Sequence, residues 1–442
     1  MQKNYLLNSR LNENKEIEPT DGRFSECGTL VVKVTSRCNL RCNYCYEKLT
    51  KHGDMDISVF RKLVVKVLSE TNRNKISFVF HGGEPTLLPI SWYREATKYA
   101  RMVAKQKNKL VRFSIQTNLI SLTMIKINEF KQLKIDISGS IDGPIGTHDM
   151  RKGSNRATDV FHQALSVGVN LGILMTINNS NYDKFDIVCL WLNRELGIKN
   201  FKANIIYPVG SGSLLPTLTT EQILKAHHAI LQHMIENKGL GLIEDNIATE
   251  LLKMFCANNP KLDIHNELCR QRVCGAGSKV LGISPTGNIL PCGRFEWDDK
   301  QFSLGSLVGG EDTSLKSKGN TSVDEFHESH SENWANCKSC DARSICSFGC
   351  QAFILRSNKK INIECFATKM RYRFYKDNES SLKLVAENIA SRYISSNDGF
   401  SDDGYSDKYS DKYSDQYHDQ YHDQYHDNFN NRSKGIIFIK NV

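Results

Sequence analysis

Residues 29–45 read TLVVKVTSRCNLRCNYC, a short β-branched run followed at once by three cysteines. The run is typical of a strand, because β-branched side chains favour extended backbone and pack well in a sheet. Cys38, Cys42 and Cys45 have the spacing C-x3-C-x2-C, which places three thiolates in one short loop. A structural zinc site uses four protein ligands, whereas three ligands on a four-iron cluster leave one iron open. The spacing therefore favours a cluster with an open iron; a zinc knuckle with a distant fourth ligand, or thiols without metal, are the alternatives.

Five later runs have the same β-branched character, and longer amphipathic segments separate them. The six predicted strands cover residues 29–35, 75–80, 110–116, 134–141, 171–177 and 201–207. Segments such as 59–68 and 92–104 carry apolar residues at helical spacing. Regular alternation of strands and helices is typical of βα units around a parallel sheet. We therefore predict an α/β fold in which six βα units curve into a partial, TIM-like barrel.

Polar motifs follow each of the first four predicted strands. CNLRCNYC follows the first strand, HGGEP the second, TN the third and DGP the fourth. The carboxyl ends of parallel strands meet at one edge of a sheet, where loops vary while the sheet holds them in place. The four motifs together predict a functional site at that edge.

Composition divides the chain into four predicted regions. They are a polar segment at 1–27, the barrel at 28–260, a cysteine-rich module with a closing helix at 261–394, and a low-complexity tail at 395–442. In the tail a Tyr-x-Asp-x tetrad repeats from Tyr405 to Tyr425 and is followed by Phe429, Asn430 and Asn431. The tail lacks the aliphatic residues that would offset its ordering entropy, so we expect disorder in isolation.

Cysteine usage and charge narrow the functional classes. The chain has 14 cysteines among 442 residues, a polar start and no long apolar run, so we expect a cytoplasmic protein with no membrane partner. In a reducing cytoplasm metal ligation is favoured over disulfides. The net charge of +9 combines −7 over residues 398–428, where nine Asp face two Lys, with +16 elsewhere. A basic body attracts acidic partners, and without an RNA-binding signature we do not expect nucleic acid to be one.

The cysteine loop and HGGEP together resemble the radical SAM superfamily over residues 28 to about 210. The resemblance implies that the open iron of a four-iron cluster binds the amino and carboxylate groups of S-adenosylmethionine (SAM). Reductive cleavage of SAM would then give a 5′-deoxyadenosyl radical that abstracts hydrogen from unactivated carbon. The implied SAM contacts are Gly82, Gly83, Glu84, Gln116, Thr117, Asn118, Ser140 and Arg151.

The later cysteines resemble a complete SPASM extension, in which Gly287 and Cys292 form a G-x4-C unit. The resemblance implies two auxiliary four-iron clusters without an open site. Their implied ligand sets are Cys269, Cys274, Cys292 and Cys350 for the first, and Cys337, Cys340, Cys346 and Cys365 for the second. A pair of zinc sites is the alternative. With the SAM cluster this makes three clusters in all, supplied with electrons by a donor such as a flavodoxin or ferredoxin.

SPASM proteins act mostly on peptides or proteins, so the resemblance implies a peptide or protein substrate. Sulfatase maturases carry an Asp after the cysteine of the G-x4-C unit, but Gly293 stands here, which disfavours formylglycine formation. The nearby carboxylates Glu296 and Asp298 are interpreted as surface charges. Tyr-x-Asp and Phe-x-Asn units resemble the cores that cyclophane-forming maturases crosslink between an aromatic ring and a β-carbon. Residues 400–431 are therefore a candidate substrate fused to the enzyme.

Other interpretations of the chain stay open at this point. The tail is equally explained as a solubilising segment, while a metal site on His418, His422 and His426 needs a helix that Tyr, Asp and Ser disfavour. The whole chain could instead mature a separate protein without crosslinking, or serve as a non-catalytic iron-sulfur protein. Neither the catalytic base nor the oligomeric state follows from the sequence.

Overall fold

The computed structural model describes most of the chain between residues 22 and 398. The described ranges are 22–47, 53–144, 146–147, 150–151, 156–169, 171–262, 274–296, 302–308, 337, 339–346, 348–357 and 362–398. Contacts within the chain define one unit over Met1–Ser395 and a second over Ser396–Val442. The Tyr-x-Asp repeats, Cys269, Asp298 and the segment before residue 22 lie outside the described residues.

Within the described ranges, ten strands form one sheet in the order β10-β9-β8-β1-β2-β3-β4-β5-β6-β7. Neighbours are parallel from β8 through β1 to β7, while the β8–β9 and β9–β10 pairs are antiparallel. The strands are β1 Thr29–Thr35, β2 Lys75–Gly82, β3 Leu110–Thr117, β4 Ile135–Ser140, β5 Gly172–Ile177, β6 Asn200–Ile205, β7 Ile243–Glu244, β8 Val280–Ile283, β9 Asn288–Leu290 and β10 Gly305–Ser306.

Helices cover the parallel strands, and polar residues in the sequence mark where several of these helices begin. The helices are α1 Ile57–Glu70, α2 Ile90–Gln106, α3 Met124–Gln132, α4 Arg156–Ser166, α5 Phe185–Leu190, α6 Thr220–Glu236, α7 Asp245–Phe255, α8 Gln351–Arg356, α9 Cys365–Asp377 and α10 Glu379–Asp398. Asp56 caps α1 by accepting from the Ser58 amide, and Thr219 with Gln222 forms a capping box on α6. Such caps satisfy amides that the first helical turn leaves without partners.

The predicted parallel α/β sheet is confirmed. All six predicted strands form, and β1 has the predicted bounds, whereas β2 continues to Gly82 and β6 ends at Ile205. The structure adds four strands that the sequence did not indicate. One of them, β8, pairs with β1, so the sheet crosses the boundary predicted near residue 260.

The core lies between the sheet and its helices and is rich in aromatic side chains. Phe60 of α1 packs against Phe78 and Phe80 of β2, and Trp92 and Tyr93 of α2 pack against Phe80. These large side chains remove much apolar surface from water, which is the main favourable term in folding. Among the described residues, no helix has both the length and the apolar character to cross a membrane.

Candidate active site

The loop with Cys38, Cys42 and Cys45 leaves the end of β1 and is held by its neighbours. The amide of Cys45 donates to the Cys42 carbonyl at 3.2 Å, and the Cys45 carbonyl accepts from the Ser211 amide at 2.8 Å. The amide of Asn43 donates to the carbonyl of Met150 at 2.9 Å. Hydrogen bonds within the loop and to two later segments therefore fix the backbone that presents the thiols.

Gly82 and Gly83 lie against the start of the cysteine loop. A Cβ atom on Gly83 would lie 2.1 Å from the carbonyl oxygen of Arg37, and one on Gly82 would lie 2.3 Å from that of Thr35. Gly82 also has a φ of +122°, a conformation that glycine adopts readily. This close approach lets the Gly83 amide donate to Thr35 at 2.8 Å and the Glu84 amide donate to Arg37 at 2.7 Å. Both positions require glycine, because a side chain would overlap the backbone of Thr35 or Arg37.

The carboxylate of Glu84 joins the end of β2 to the end of β3. One oxygen accepts from the Thr86 amide at 2.9 Å, the Thr86 hydroxyl and the Thr117 hydroxyl at 2.7 Å, and the other accepts from the Asn118 amide at 2.7 Å. Burial raises the pKa of Glu84, against the lowering effect of these bonds. A carboxylate has about four lone-pair sites, so its acceptor capacity is largely used within the protein.

The side chain of Asn118 reaches from the end of β3 to the cysteine loop. Its amide nitrogen lies 2.7 Å from Asn39 Oδ1 and 3.8 Å from the sulfur of Cys38. Gln116 lies two residues earlier, and a hydrogen bond from its side chain raises the pKa of His81 against the larger lowering caused by burial. The third-strand residues predicted at the site are therefore near the thiols or near HGGEP.

Arg151 forms a buried group with Asp142 and Tyr44. The guanidinium of Arg151 lies 3.3 Å from an Asp142 oxygen and 5.5 Å from the centre of the Tyr44 ring, and the Tyr44 hydroxyl also hydrogen bonds Asp142. Asp142 is completely buried and also accepts from the Thr176 amide at 2.9 Å. The Arg151 Nε atom is buried, and none of the described residues accepts a hydrogen bond from it. Such a donor is costly unless a bound group completes it, so it fits a site for a polar cofactor. Ser140 is buried nearby in the chain, at the end of β4.

The three thiols of the loop are close enough to affect one another. Burial raises the pKa of all three, and that of Cys45 rises to about 12, with the charges of Cys42 and Cys38 adding to the rise. Such thiols carry protons at neutral pH, so metal binding must displace them. Within the described ranges no three His, Cys, Asp or Glu side chains converge around a single ion.

A buried lysine connects the cysteine loop with the later cysteines. Lys33 of β1 is completely buried, and its ammonium lies 2.9 Å from a Glu47 oxygen and 2.6 Å from the carbonyl oxygen of Phe295. Glu47 comes two residues after Cys45, and Phe295 comes three residues after Cys292. Because a buried charge needs a partner, Lys33 fixes both segments against the same strand.

His81 of HGGEP lies beside this pair as a neutral imidazole. The Gly82 amide donates to its Nδ1 atom at 2.7 Å, so the proton lies on Nε2, which is 3.3 Å from the Tyr46 hydroxyl. Burial lowers the pKa of His81 to about 3, and the positive charges of Lys33 and Arg294 add to this effect. A second proton on Nδ1 would meet an N–H group, which is why the ring stays neutral.

The described cysteines of the later group fall into two sets. Cys274, Cys292 and Cys350 pack around one small apolar cluster of Ala276, Leu290, Phe295, Phe302 and Ala352. In the other set, burial raises the pKa of Cys337 and of Cys346, the latter to about 11, and the charge of Cys365 adds to both. The charge of Cys340 also acts on Cys337. The sets coincide with the two implied ligand sets, apart from Cys269, which lies outside the described residues.

Gly293 lies against the first strand. A Cβ atom there would be 2.4 Å from Cγ1 and 2.9 Å from Cβ of Val31, whose β-branched side chain has little freedom to move. The next residue, Arg294, lies over Phe353 at 4.7 Å, and Phe353 stacks on Tyr207 at 3.6 Å between ring centres. The position that holds an Asp in sulfatase maturases thus has no room for a side chain. Glu296, interpreted from the sequence as a surface charge, pairs instead with Arg356 at 2.5 Å.

No role for Lys33, Glu47, His81 or Asp142 followed from the sequence. The sequence nevertheless contains an indication of a role for Lys33 and for Asp142. Lys33 interrupts an otherwise apolar strand, and a charged residue in such a position indicates a buried partner. Asp142 follows β4 at the edge where the functional loops meet. The partners themselves come from distant segments, which no local pattern identifies.

Comparison with known proteins agrees with the geometry. Residues 32–192 match the family described as the radical SAM superfamily. The chain is 23% identical over 390 residues to a cysteine-type anaerobic sulfatase-maturating enzyme of Clostridium novyi, covering 82% of this chain and 98% of that protein. It is 26% identical over 284 residues to the antilisterial bacteriocin subtilosin biosynthesis protein AlbA of Bacillus subtilis, covering 62% of this chain and 56% of that protein.

A solved structure has the same fold. It is described as native anSMEcpe with bound AdoMet and Cp18Cys peptide, and it superposes with a TM-score of 0.64 at 20% identity. The likeness covers 82% of this chain and 99% of the other. At this identity the likeness establishes a shared fold.

Proposed function

Residues 32–192 are a radical SAM domain, and from this premise we propose that the chain is a maturase that cleaves SAM reductively and takes hydrogen from a peptide or protein. The observation that carries the proposal is the convergence of three elements at one sheet edge: the thiols after β1, the glycine pair after β2 and the buried Arg151. Each element would contact a different part of one cluster-bound cofactor.

The residues of the site have separable tasks. Cys38, Cys42 and Cys45 would hold a four-iron cluster, which together with SAM supplies a carbon radical able to take a hydrogen atom. The backbone of Gly82 and Gly83 would meet the SAM ammonium, since the Glu84 carboxylate is largely occupied by Thr86, Thr117 and Asn118. The Nε–H group of Arg151 would donate a hydrogen bond to SAM.

The later cysteines would hold two auxiliary clusters. The first would use Cys269, Cys274, Cys292 and Cys350, and the second Cys337, Cys340, Cys346 and Cys365. The grouping of the described members into two neighbourhoods supports these sets. Full ligation leaves no iron open for substrate, so their task would be to accept the electron that a substrate radical gives up.

The substrate class is proposed from the relatives. One is a sulfatase-maturating enzyme, one is a bacteriocin biosynthesis protein, and one solved structure contains a peptide. Because Val31 fills the space beside Gly293, we infer chemistry other than formylglycine formation. Crosslinking within Tyr-x-Asp or Phe-x-Asn units, including those of residues 400–431, is our specific proposal. A separate peptide with such units is the second candidate, favoured by the same relatives.

The test is SAM cleavage by anaerobically reconstituted protein with dithionite as reductant. We expect 5′-deoxyadenosine from the wild type and none from a Cys38→Ala variant, which keeps its auxiliary iron. Cys256→Ala is the matched control, because Cys256 is a buried cysteine outside all three proposed sets and should leave the product unchanged. Wild-type protein that holds iron but never yields 5′-deoxyadenosine would identify a non-catalytic iron-sulfur protein.

The crosslink is tested by intact mass after turnover. Each crosslink removes two hydrogens, and fragmentation places the loss within an aromatic-x-Asp or aromatic-x-Asn unit. A tail of unchanged mass, together with continued 5′-deoxyadenosine production, would contradict modification of residues 400–431. Addition of a synthetic peptide with the same units then tests a separate substrate.

A further inference from the structure

One face of α9 exposes two large apolar side chains beside a proposed cluster ligand. Cys365 is the first residue of the helix, Phe366 follows it with 67% of its surface exposed, and Met370 is 50% exposed. Residues four apart lie on the same side of a helix, so the two side chains form one patch. Met and aromatic residues are enriched where proteins bind one another.

Basic residues surround this patch. Lys369, Arg373 and Lys376 are all exposed, and Asp377 is the one acidic residue in the sequence of α9. The opposite side of the helix is anchored, because buried Arg371 makes a two-bond ion pair with Glu250 at 2.8 and 3.0 Å. Tyr375 hydrogen bonds the same carboxylate at 2.9 Å. The helix therefore has a fixed orientation, with its apolar and basic side outward.

The patch is also close to the thiols of the second proposed cluster. Cys365 is the first residue of the helix itself and directly precedes Phe366, and Cys337 belongs to the same proposed ligand set. Both Cys337 and Cys365 are only partly buried. A cluster bound by these thiols would therefore lie near the surface that carries the patch.

We propose that the face of α9 formed by Phe366, Lys369, Met370, Arg373 and Lys376 is the docking site of a small acidic one-electron carrier of the flavodoxin or ferredoxin class. The inference rests on the proposed function, because it assumes a redox cluster at Cys365. Charge complementarity selects this partner: an acidic protein is drawn to the basic rim, and the small apolar centre suits the small, weak interfaces of electron-transfer encounters.

The electron step balances without a further reactant. A substrate that has lost a hydrogen atom gives one electron to the auxiliary clusters and one proton to a base or to solvent. The reduced second cluster then passes that electron to the oxidised carrier, which becomes reduced by one electron. No bond forms or breaks at the docking surface.

The experiment measures electron transfer directly, without substrate. Dithionite-reduced holoprotein, freed of excess reductant, is mixed anaerobically with oxidised flavodoxin, and flavin reduction is followed by stopped flow. We expect Lys369→Glu, Arg373→Glu and Lys376→Glu together to lower the second-order rate at low salt by about tenfold or more, and the difference to narrow as salt screens the charges. Met370→Ser should lower the rate at high salt as well.

The matched control lies on α2, where Met102 is 49% exposed between exposed Lys98 and Lys105. Lys98→Glu, Lys105→Glu and Lys107→Glu together make the same charge change on exposed positions far along the chain from any proposed cluster ligand, and the rate of this variant should equal that of the wild type. Iron content and dithionite-driven SAM cleavage should be unchanged in both sets. If the triple variant loses iron, Arg373→Glu alone provides the same comparison, with an expected decrease of about twofold to threefold.

Three results would overturn the proposal. The first is an equal flavodoxin rate in the α9 and α2 variants. The second is a raised KM for a peptide substrate in the α9 variant under dithionite, which would make this face a substrate site. The third is a wild type that is dimeric by sedimentation and an α9 variant that is monomeric, which would make it an interface between copies. The first and third results do not depend on whether SAM is cleaved, so failure here is distinct from failure of the proposed function.

Discussion

The two cysteine regions are held in place by different forces. The loop after β1 is fixed mainly by hydrogen bonds, to Glu84 after β2, to Met150 and to Ser211. The later cysteines instead pack around a small apolar cluster or next to one another, with α9 attached to the barrel through Glu250. We infer that the first site is organised before metal arrives, whereas the second module depends on metal for much of its stability.

Removal of iron should produce the largest difference between the two regions. In protein stripped by a chelator, we expect amides of α8 and the first turn of α9 to become easier to open by more than about 5 kcal/mol, because the proposed auxiliary clusters would supply folding free energy there. Amides of β1 to β4 should change little. Hydrogen exchange with mass spectrometry measures both, and an equal loss of protection in the two regions would refute the distinction.

Glu250→Gln should have the next largest effect, confined to the second region. The variant leaves buried Arg371 without its charged partner, and breaking a buried pair costs about 3–5 kcal/mol. Denaturant unfolding should show the loss, together with reduced iron content but retained binding of SAM. The control is Glu95→Gln, which breaks an ion pair with Arg61 whose side chains are both about half exposed and should leave stability unchanged. Loss of SAM binding in Glu250→Gln would show that the regions are not separable.

Gly83→Ala should damage the first region. Its new Cβ would overlap the Arg37 carbonyl, and we expect a loss of about 2–4 kcal/mol in unfolding free energy and strongly weakened SAM binding. Gly28→Ala is the control, because its Cβ would have 3.9 Å to its nearest neighbour. Stability comes from denaturant unfolding and SAM affinity from calorimetry. Similar results for the two variants would contradict the backbone contact.

The smallest predicted effect is the pH dependence from His81, which lies between the regions. Its folded pKa of about 3 is below the usual 6.5, so its contribution to stability is present above pH 6.5 and is lost as the pH falls toward 3. Between pH 7 and 5 the wild type should lose about 2 kcal/mol more than His81→Gln. Denaturant unfolding at the two pH values measures this, and parallel profiles would show that His81 titrates normally.

Local sequence patterns predicted the first region better than the second. The strands β1 to β6 follow from β-branched runs, and the edge that holds the thiols, HGGEP and Asn118 follows from the topology of a parallel sheet. The pairing of β8 with β1 was not predicted, because the four residues VLGI carry too little periodicity to distinguish a strand from a turn.

The polar contacts of the site were predicted least well. Glu84 as a SAM contact stays a prediction, but the hydrogen bonds that its carboxylate accepts from Thr86, Thr117 and Asn118 did not follow from the motif. The partners of Lys33 and Arg371 lie 14 and 121 residues away in the chain. Such pairs are selected by where the folded backbone places two charges, and this information is not present in any short segment.

The parallel pairing of β8 with β1 has a mechanical consequence. Val32 lies opposite Ile283, so the strand leading to Cys38 and the hairpin leading to Cys292 share one continuous hydrogen-bonded ladder. Neighbouring strands in a packed, hydrogen-bonded sheet keep a fixed distance from each other, so the sheet does not bend between them. The spacing between the loop of Cys38 and the turn of Cys292 is therefore set by the sheet itself, and it cannot change unless the pairing of β1 with β8 breaks.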